Sequence, residues 1–296
     1  MEAMGRHVGR SDCDLGTRVN LAIGLAPVAA GEWSAQVPDT WHQGRGAWGG
    51  IVLAIIARGA ELAAADVAAP GKEPVVRSVS GSMSGPLLVG TASVKTRIIR
   101  AGSNVITVGV DLLNEGDTEV AASAVVVLGS ARASALDIGG APWQITPPPD
   151  VADALAAGIP EGPDFDFMGQ GPEFFRHLGA KPVQAFPGLK DPHATTIGWI
   201  RLKGFSADAD AGWLAALSDA WWTATIVGTD GTRPMATISF QVDLLVDATS
   251  LDTTSHLLHV GRNQGAHEGY VAETRELWTP SGQLASRCNQ MVAVIR

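Results

Sequence analysis

Cysteine is almost absent from this 296-residue chain: Cys13 and Cys288 stand far apart, unlike any metal or redox spacing. Neither a disulfide framework nor a cysteine-built metal centre is expected. Basic residues are also scarce. Lys and Arg number 21 against 30 Asp and Glu, a formal net charge of −9, and no basic run occurs. That balance argues against nucleic acid and against an anionic membrane surface as partners. Long apolar runs are missing too, since the longest, Ile51 to Ala69, is interrupted by Arg58, Glu61 and Asp66. The opening residues, MEAMGRHVGRSD, lack the apolar core of a secretion signal, so a cytoplasmic location is expected, with roughly the first 20 residues loosely ordered.

Several catalytic signatures fail in their sequence context. GSMSG (81–85) places Met83 where a nucleophile elbow requires serine. Gly44 to Gly49 spells GxGxxG before a helical stretch, but SAQVPDTWHQ ahead of it is no buried strand. The extended segment after the helix, VVRSVSGSM, ends without an acid for a ribose. His256 and His259 are three apart in a predicted strand and so point to opposite faces, which removes them as a metal pair. No metal and no cofactor are expected.

What remains is a chain with 46% hydrophobic and 17% charged residues, enough for a generous core. GEWSAQVPDTWHQGRGAWGG (31–50) is a short extended segment running into a Gly-rich turn. A helical stretch follows and stops at Pro70-Gly71. From Pro74 the period becomes extended: VVRSVSGSMSG, TASVKTRIIR, NVITVGVDLLN and EVAASAVVVLG are Val/Ile/Thr-rich and separated by turn residues. Residues 140–170 form a Pro/Gly-rich connector with room for one short helix. Beyond it, DAGWLAALSDAWWTAT (210–225) is apolar on almost every face and predicts a second helix, buried all round, with Asp219 in its middle. Four more extended segments close the chain.

The halves repeat. Gly49 before the first helix corresponds to Gly212 before the second (212 − 49 = 163), Gly102 in the AGSN turn falls on Gly265 (265 − 102 = 163), and Val120 falls on Leu284 (284 − 120 = 164). Two copies of a strand, a long helix and an antiparallel meander account for this order. A twisted sheet wrapped on one long helix is a hotdog fold. The expected class is therefore α+β: two tandem hotdog domains, each a long central helix wrapped by an antiparallel sheet. The domains would be residues 1–139 and 171–296, with the connector between them.

The repeat also exposes an asymmetry. Asp219 falls opposite Ile56 (219 − 163) and Gln290 opposite Val126 (290 − 164), so one copy has polar groups where the other has aliphatic ones. A carboxylate in such a setting needs donors or stays protonated. A single furnished site per chain, carried by the C-terminal domain, is inferred.

Through GRGAWGGIVLAIIARGAE, LSDAWW, MATISF and GQLASRCNQMVAV, the chain resembles the double-hotdog acyl-CoA thioesterases over most of its length. The resemblance implies a thioester hydrolase that cleaves acyl-CoA to free acid and CoA. Its Asp, hydroxyl and Gln positions match Asp219, Thr237 of MATIS and Gln290 of CNQMV, which would hold the attacking water. Asp219 would be general base or water orienter, and Ser239, two along from Thr237, could supply the hydroxyl instead. Gly49-Gly50, at a helix N-terminus, is the candidate oxyanion donor, and His42 a possible substrate contact. An apolar acyl chain would lodge between helix and sheet, and a homo-oligomer is expected.

Each assignment has a plainer counterpart. Asp219 could be a structural acid bonded to backbone or to a Trp indole, and Thr237 a good strand residue. Gln290 could be an edge position, Gly49-Gly50 a helix-start turn, and His42 a surface histidine. The competing functions are an acyl-CoA-binding hotdog protein without turnover and a hotdog enoyl-CoA hydratase or dehydratase. The last would want a histidine beside its carboxylate, and neither helix nor MATIS nor CNQMV holds one.

Overall fold

Two short strands, a Gly-rich approach, a long helix and four long antiparallel strands make up the first half of the chain. In the computed structural model, which describes residues 24–132, 144–167, 171–191, 195–205, 208–229 and 233–295, these are β1 (Leu25–Ala29), β2 (Glu32–Val37), the two-residue strands β3 (His42–Gln43) and β4 (Gly46–Ala47), α1 (Gly49–Ala65), β5 (Val75–Met83), β6 (Gly90–Ala101), β7 (Val105–Asn114) and β8 (Ala122–Gly129). Cys13 and the N-terminal stretch expected to be loosely ordered lie outside the described residues. The connector carries α2 (Pro149–Ala157), and the second half follows with β9 (Leu178–Gln184), β10 (Thr196–Leu202), α3 (Ala211–Leu217), α4 (Ala224–Gly228), β11 (Met235–Leu244), β12 (Leu257–His267), β13 (Tyr270–Trp278) and β14 (Leu284–Val294).

The long strands form one 12-stranded sheet in the order β1-β2-β6-β7-β8-β5-β11-β14-β13-β12-β10-β9. Read from either end, the order is the same once each strand is replaced by its counterpart in the other half. The seam is the antiparallel pair β5–β11, in register from Ser82 with Ser239 to Ser78 with Asp243. Alternation sets the faces. On β7, Ile106, Val108, Val110 and Leu112 are buried toward α1, which spans the concave side of the first half and buries Ile51, Leu53, Ile55 and Ile56 completely.

In the second half both faces of the sheet are covered. α2 lies on the outer face, where Val151 and Ala154 join Trp199, Leu258, Val260 and Trp278 in a separate apolar cluster. Arg262 Nη2 donates to Asp150 Oδ2 at 2.6 Å and fixes the start of that helix. Trp221 covers the inner face so closely that a methyl group at Gly198 would lie 2.2 Å from its ring.

The second central helix differs from expectation. Instead of one helix through Thr225, α3 ends at Leu217 and the chain resumes as the one-turn α4. Asp219 therefore lies just beyond a helix end, not within a helix. Ser218 Oγ donates back to Leu214 O at 3.1 Å and meets Ser286 Oγ at 2.8 Å. The Asp219 and Ala220 amides bond three residues back, to Ala216 O and Leu217 O, at 3.0 and 3.1 Å. Such tightening ends an α-helix, and the apolar pattern runs through the break without registering it.

α1 and α3 pack antiparallel across the seam. Arg58 of α1 donates to both oxygens of Asp210, at 2.8 and 3.2 Å, while Asp210 Oδ1 caps α3 by accepting from the Trp213 amide at 2.6 Å. Glu61, one turn further along α1, is partly buried beside that pair. Burial, reinforced by the Asp210 carboxylate, pushes its carboxyl up to about 7, against the pull of Arg58. A carboxyl whose pKa is raised on folding makes the native state bind the extra proton, so stability falls as pH rises from about 4.5 toward 7. Glu61→Gln is therefore expected to raise the thermal midpoint at pH 8 and leave that at pH 4.5 nearly unchanged. Calorimetry at both pH values checks this, and an equal shift at both would contradict it.

Candidate functional site

Asp219 enters the space between the halves with its backbone and side chain both engaged. Its carbonyl, left over at the end of α3, accepts the Trp48 indole N–H at 3.0 Å. Trp48 belongs to the first half and is held in a stack between Trp41 (5.7 Å) and Phe174 (4.6 Å). The indole thus meets the backbone oxygen of Asp219 and not the carboxylate, which the plainer alternative would have bonded to backbone or to an indole.

The carboxylate is used unevenly. Oδ1 accepts from Gln290 Nε2 at 2.9 Å and from Arg275 Nη1 at 2.6 Å. Oδ2 has no hydrogen-bond partner among the described residues and faces the first residue of α1, so that a methyl group at Gly49 would lie 2.5 Å from it. On the other side of the amide, Gln290 Oε1 accepts from Thr237 Oγ1 at 3.0 Å. Asp219, Gln290 and Thr237 thus form one hydrogen-bonded chain drawn from a helix end and two strands. Both ends of the Gln290 amide are committed, and its orientation follows because a hydroxyl hydrogen needs the oxygen and a carboxylate needs the N–H.

Ser239 does not share that position. The register between β11 and β14 shifts between Thr237 and Ser239, so Phe240, Val242 and Leu244 take over the inward face and Ser239 is exposed. Two residues apart on a regular strand the two hydroxyls would share a face, and the bulge separates them, against the expectation that Ser239 could stand in for Thr237. His42 points elsewhere as well: its ring Nδ1 lies 2.6 Å from the Asp39 carbonyl, and the side chain is more than one-third exposed. The Gly49 and Gly50 amides have no acceptor among the described residues, while Ile51 and Val52 both donate to Trp48 O. These two N–H groups open a 17-residue helix whose first residue, Gly49, lies beside Asp219 Oδ2.

Arg275 and Glu273 escaped the sequence reading. On β13 they sit between Val271 and Leu277 on the inner face, and all four are buried. Arg275 Nε donates to Glu273 Oε1 at 2.7 Å, and the Thr223 hydroxyl at the cap of α4 donates to Glu273 Oε2. Their counterparts are apolar. Glu273 pairs with Gln290 as Val108 pairs with Val126, and Arg275 pairs with Gly261 as Val110 pairs with Thr96. Strand pairing sets the displacement at 165 along β13 (273 − 108 = 165, 275 − 110 = 165), so the subtraction of 164 that singled out Gln290 lands one residue off, on Gly109 and Asp111, and misses both. His259 also lies on this face, fully buried and stacked on Trp221 at 5.7 Å, with neither ring nitrogen bonded among the described residues. Burial holds its pKa well below the usual value, so it is neutral.

Burial raises the Asp219 carboxyl, and Arg275 and Gln290 pull it back. Arg275 is raised by its two carboxylates against burial, and stays charged. Burial pushes the Cys288 thiol up to about 12 and leaves it inert. Among the described residues no cluster of His, Cys, Asp and Glu has the geometry of a metal site, and no helix is long and apolar enough to cross a membrane.

Comparison with known proteins places this geometry in context. Models of an acyl-CoA thioesterase N-terminal domain and C-terminal domain match residues 37–129 and 149–294, respectively. No curated protein sequence matches significantly. Among solved structures, a conserved protein of unknown function with a hot dog fold from Alicyclobacillus acidocaldarius superposes with a TM-score of 0.73 at 22% identity, covering 93% of this chain and 97% of that one. A putative thioesterase II from Thermobifida fusca gives 0.69 at 17% identity, covering 93% and 96%. An acyl-CoA thioesterase II from Mycobacterium marinum gives 0.64 at 16%, covering 92% and 96%. At these identities the likeness concerns the fold.

The contact between Gly49 and Asp219 yields a stability prediction. Gly49→Ala places a methyl group 2.5 Å from Oδ2 and 3.3 Å from Met83 Cε, and is expected to cost about 1–3 kcal/mol in urea unfolding. Gly85→Ala, where an added methyl meets nothing within 4 Å, should stay within about 0.5 kcal/mol of the parent. Equal effects of the two substitutions would contradict the packing described.

Proposed function

The chain belongs to the double-hotdog acyl-CoA thioesterases, and on that premise we propose that it hydrolyses an acyl-CoA thioester by direct attack of a water held by Asp219. The observation that carries the proposal is the division of labour within one carboxylate. Oδ1 is saturated by Gln290 and Arg275, whereas Oδ2 has no hydrogen-bond partner among the described residues and lies beside Gly49, at the start of α1 where two amides also lack an acceptor among the described residues. A water on Oδ2 would sit between a base and an oxyanion site, with Thr237 close by as an acceptor. Because the Thr237 hydroxyl hydrogen is committed to Gln290, its lone pairs remain for a water proton.

In the proposed reaction the water oxygen bonds to the thioester carbonyl carbon as its proton passes to Asp219 Oδ2. The negative charge on the carbonyl oxygen is met by the Gly49 and Gly50 amides. The C–S bond then breaks, CoA leaves as the thiolate, and the proton on Asp219 returns to solvent. Gln290 acts by fixing its two neighbours rather than by touching the water. The substrate would approach past Thr237, which is partly exposed, with the nucleotide of CoA at the surface.

One observation favours the idle binding protein instead: the Arg275 pair draws basicity from Asp219. Turnover decides between them. Release of free CoA thiol from a panel of short, medium, long and aromatic acyl-CoAs is expected for at least one substrate. Asp219→Asn should lower kcat by about 10²–10⁴-fold with folding unchanged, Thr237→Val and Gln290→Ala should each lower it substantially, and Ser239→Ala should not. Absence of thiol release across the whole panel would overturn the proposal.

A further inference from the structure

We propose that Arg275 is a positioning residue for the proposed hydrolysis: by occupying Asp219 Oδ1 it fixes the carboxylate plane and reserves Oδ2 for the attacking water. The inference rests on the hydrolytic reading of the site. Three observations carry it. The contact is short and fully enclosed, 2.6 Å between Nη1 and Oδ1 with both side chains buried. Arg275 is itself oriented from behind, through Glu273 Oε1 at 2.7 Å, and Glu273 is anchored by Thr223 at the start of α4. Finally, the fold does not need these charges: the corresponding strand of the first half carries Val108 and Val110, both buried, in the same architecture.

The charge balance explains why a guanidinium is required. Asp219 is faced by Arg275 and Glu273 from β13 and by Cys288 from β14. Trp48 ahead of α1, Gly49 of α1, Met83 of β5 and Thr237 of β11 complete the surroundings, and none of them carries a charge. His259 on β12 faces Arg275 and is neutral. The charges in the pocket are therefore one guanidinium between two carboxylates. Removing the guanidinium leaves two buried carboxylates whose remaining partners, Gln290 on Asp219 and Thr223 on Glu273, are neutral, which favours uptake of a proton by one of them. A protonated Asp219 accepts no proton from water, so the pair supports both orientation and ionisation.

The test measures ionisation and turnover separately. Asp219 is titrated by carboxyl-carbon NMR of protein labelled at aspartate, with the signal assigned by Asp219→Asn. The pH profile of kcat/KM for acyl-CoA hydrolysis is recorded in parallel. In Arg275→Met both the Asp219 titration and the acid limb of the profile are expected to move up by about 1–3 pH units, and in Arg275→Lys by less. If Arg275→Met does not fold, Arg275→Met/Glu273→Gln, which leaves no second carboxylate, serves in its place. An unmoved Asp219 titration overturns the inference, as does an acid limb that stays put while the titration shifts. A shifted titration in a protein that hydrolyses no acyl-CoA upholds the coupling to Arg275 and overturns the hydrolytic reading instead.

Discussion

One carboxylate buried where the two halves of the sheet and two helices meet constrains everything around it. A lone carboxylate in an apolar interior costs several kcal/mol unless it is paired and hydrogen-bonded. Asp219 meets that requirement with groups from three places: Arg275 on β13, Gln290 on β14, and the Trp48 indole of the first half, which takes its backbone carbonyl. Each of these is fixed in turn, Trp48 by the stack with Trp41 and Phe174, Arg275 by Glu273, Gln290 by Thr237. Buried ion pairs of this kind contribute little net stability compared with well-packed aliphatic residues. Their presence therefore points to work rather than to folding.

Duplication gives that argument an internal control. Both halves build the same six-strand arrangement and meet at the β5–β11 seam. In the first, an uninterrupted 17-residue helix fills the concave face and packs on the aliphatic inner side chains of its own sheet, among them Val94, Val108 and Val110. In the second, the helix stops after seven residues, and the inner face carries Glu273, Arg275 and Gln290 where the first half carries Val108, Val110 and Val126. One copy retains a plain core, and the other exchanges part of it for a polar network beneath a broken helix. Neither half holds the whole site, since the amides at the start of α1 belong to the plain copy and the carboxylate to the furnished one.

Much of this was legible in the chain itself. Switches from helical to extended periodicity marked the order of elements, and the near-constant displacement between halves revealed the repeat. That repeat in turn singled out Asp219 and Gln290, because each faced an aliphatic counterpart. Three features escaped. The helix break at Ser218 is invisible to periodicity, because LAALSDAWW is as apolar beyond the break as before it, and the break is set by hydrogen bonds to other elements. The bulge that separates Ser239 from Thr237 inverts strand parity and leaves no residue-type signature in MATIS. Arg275 and Glu273 resemble surface charges until β13 is aligned with β7, because an exposed pair two residues apart on a strand looks the same in sequence as a buried one.

The central claim is that Asp219 holds a water and does not itself attack the thioester. A single-turnover hydrolysis in H₂¹⁸O, with enzyme in excess over acyl-CoA and both products analysed by mass spectrometry, tests it most directly. The account predicts one ¹⁸O in the released acid and none in the peptide containing Asp219. An unlabelled acid accompanied by ¹⁸O in the Asp219 carboxyl would mean that the carboxylate had formed an anhydride, and would contradict it.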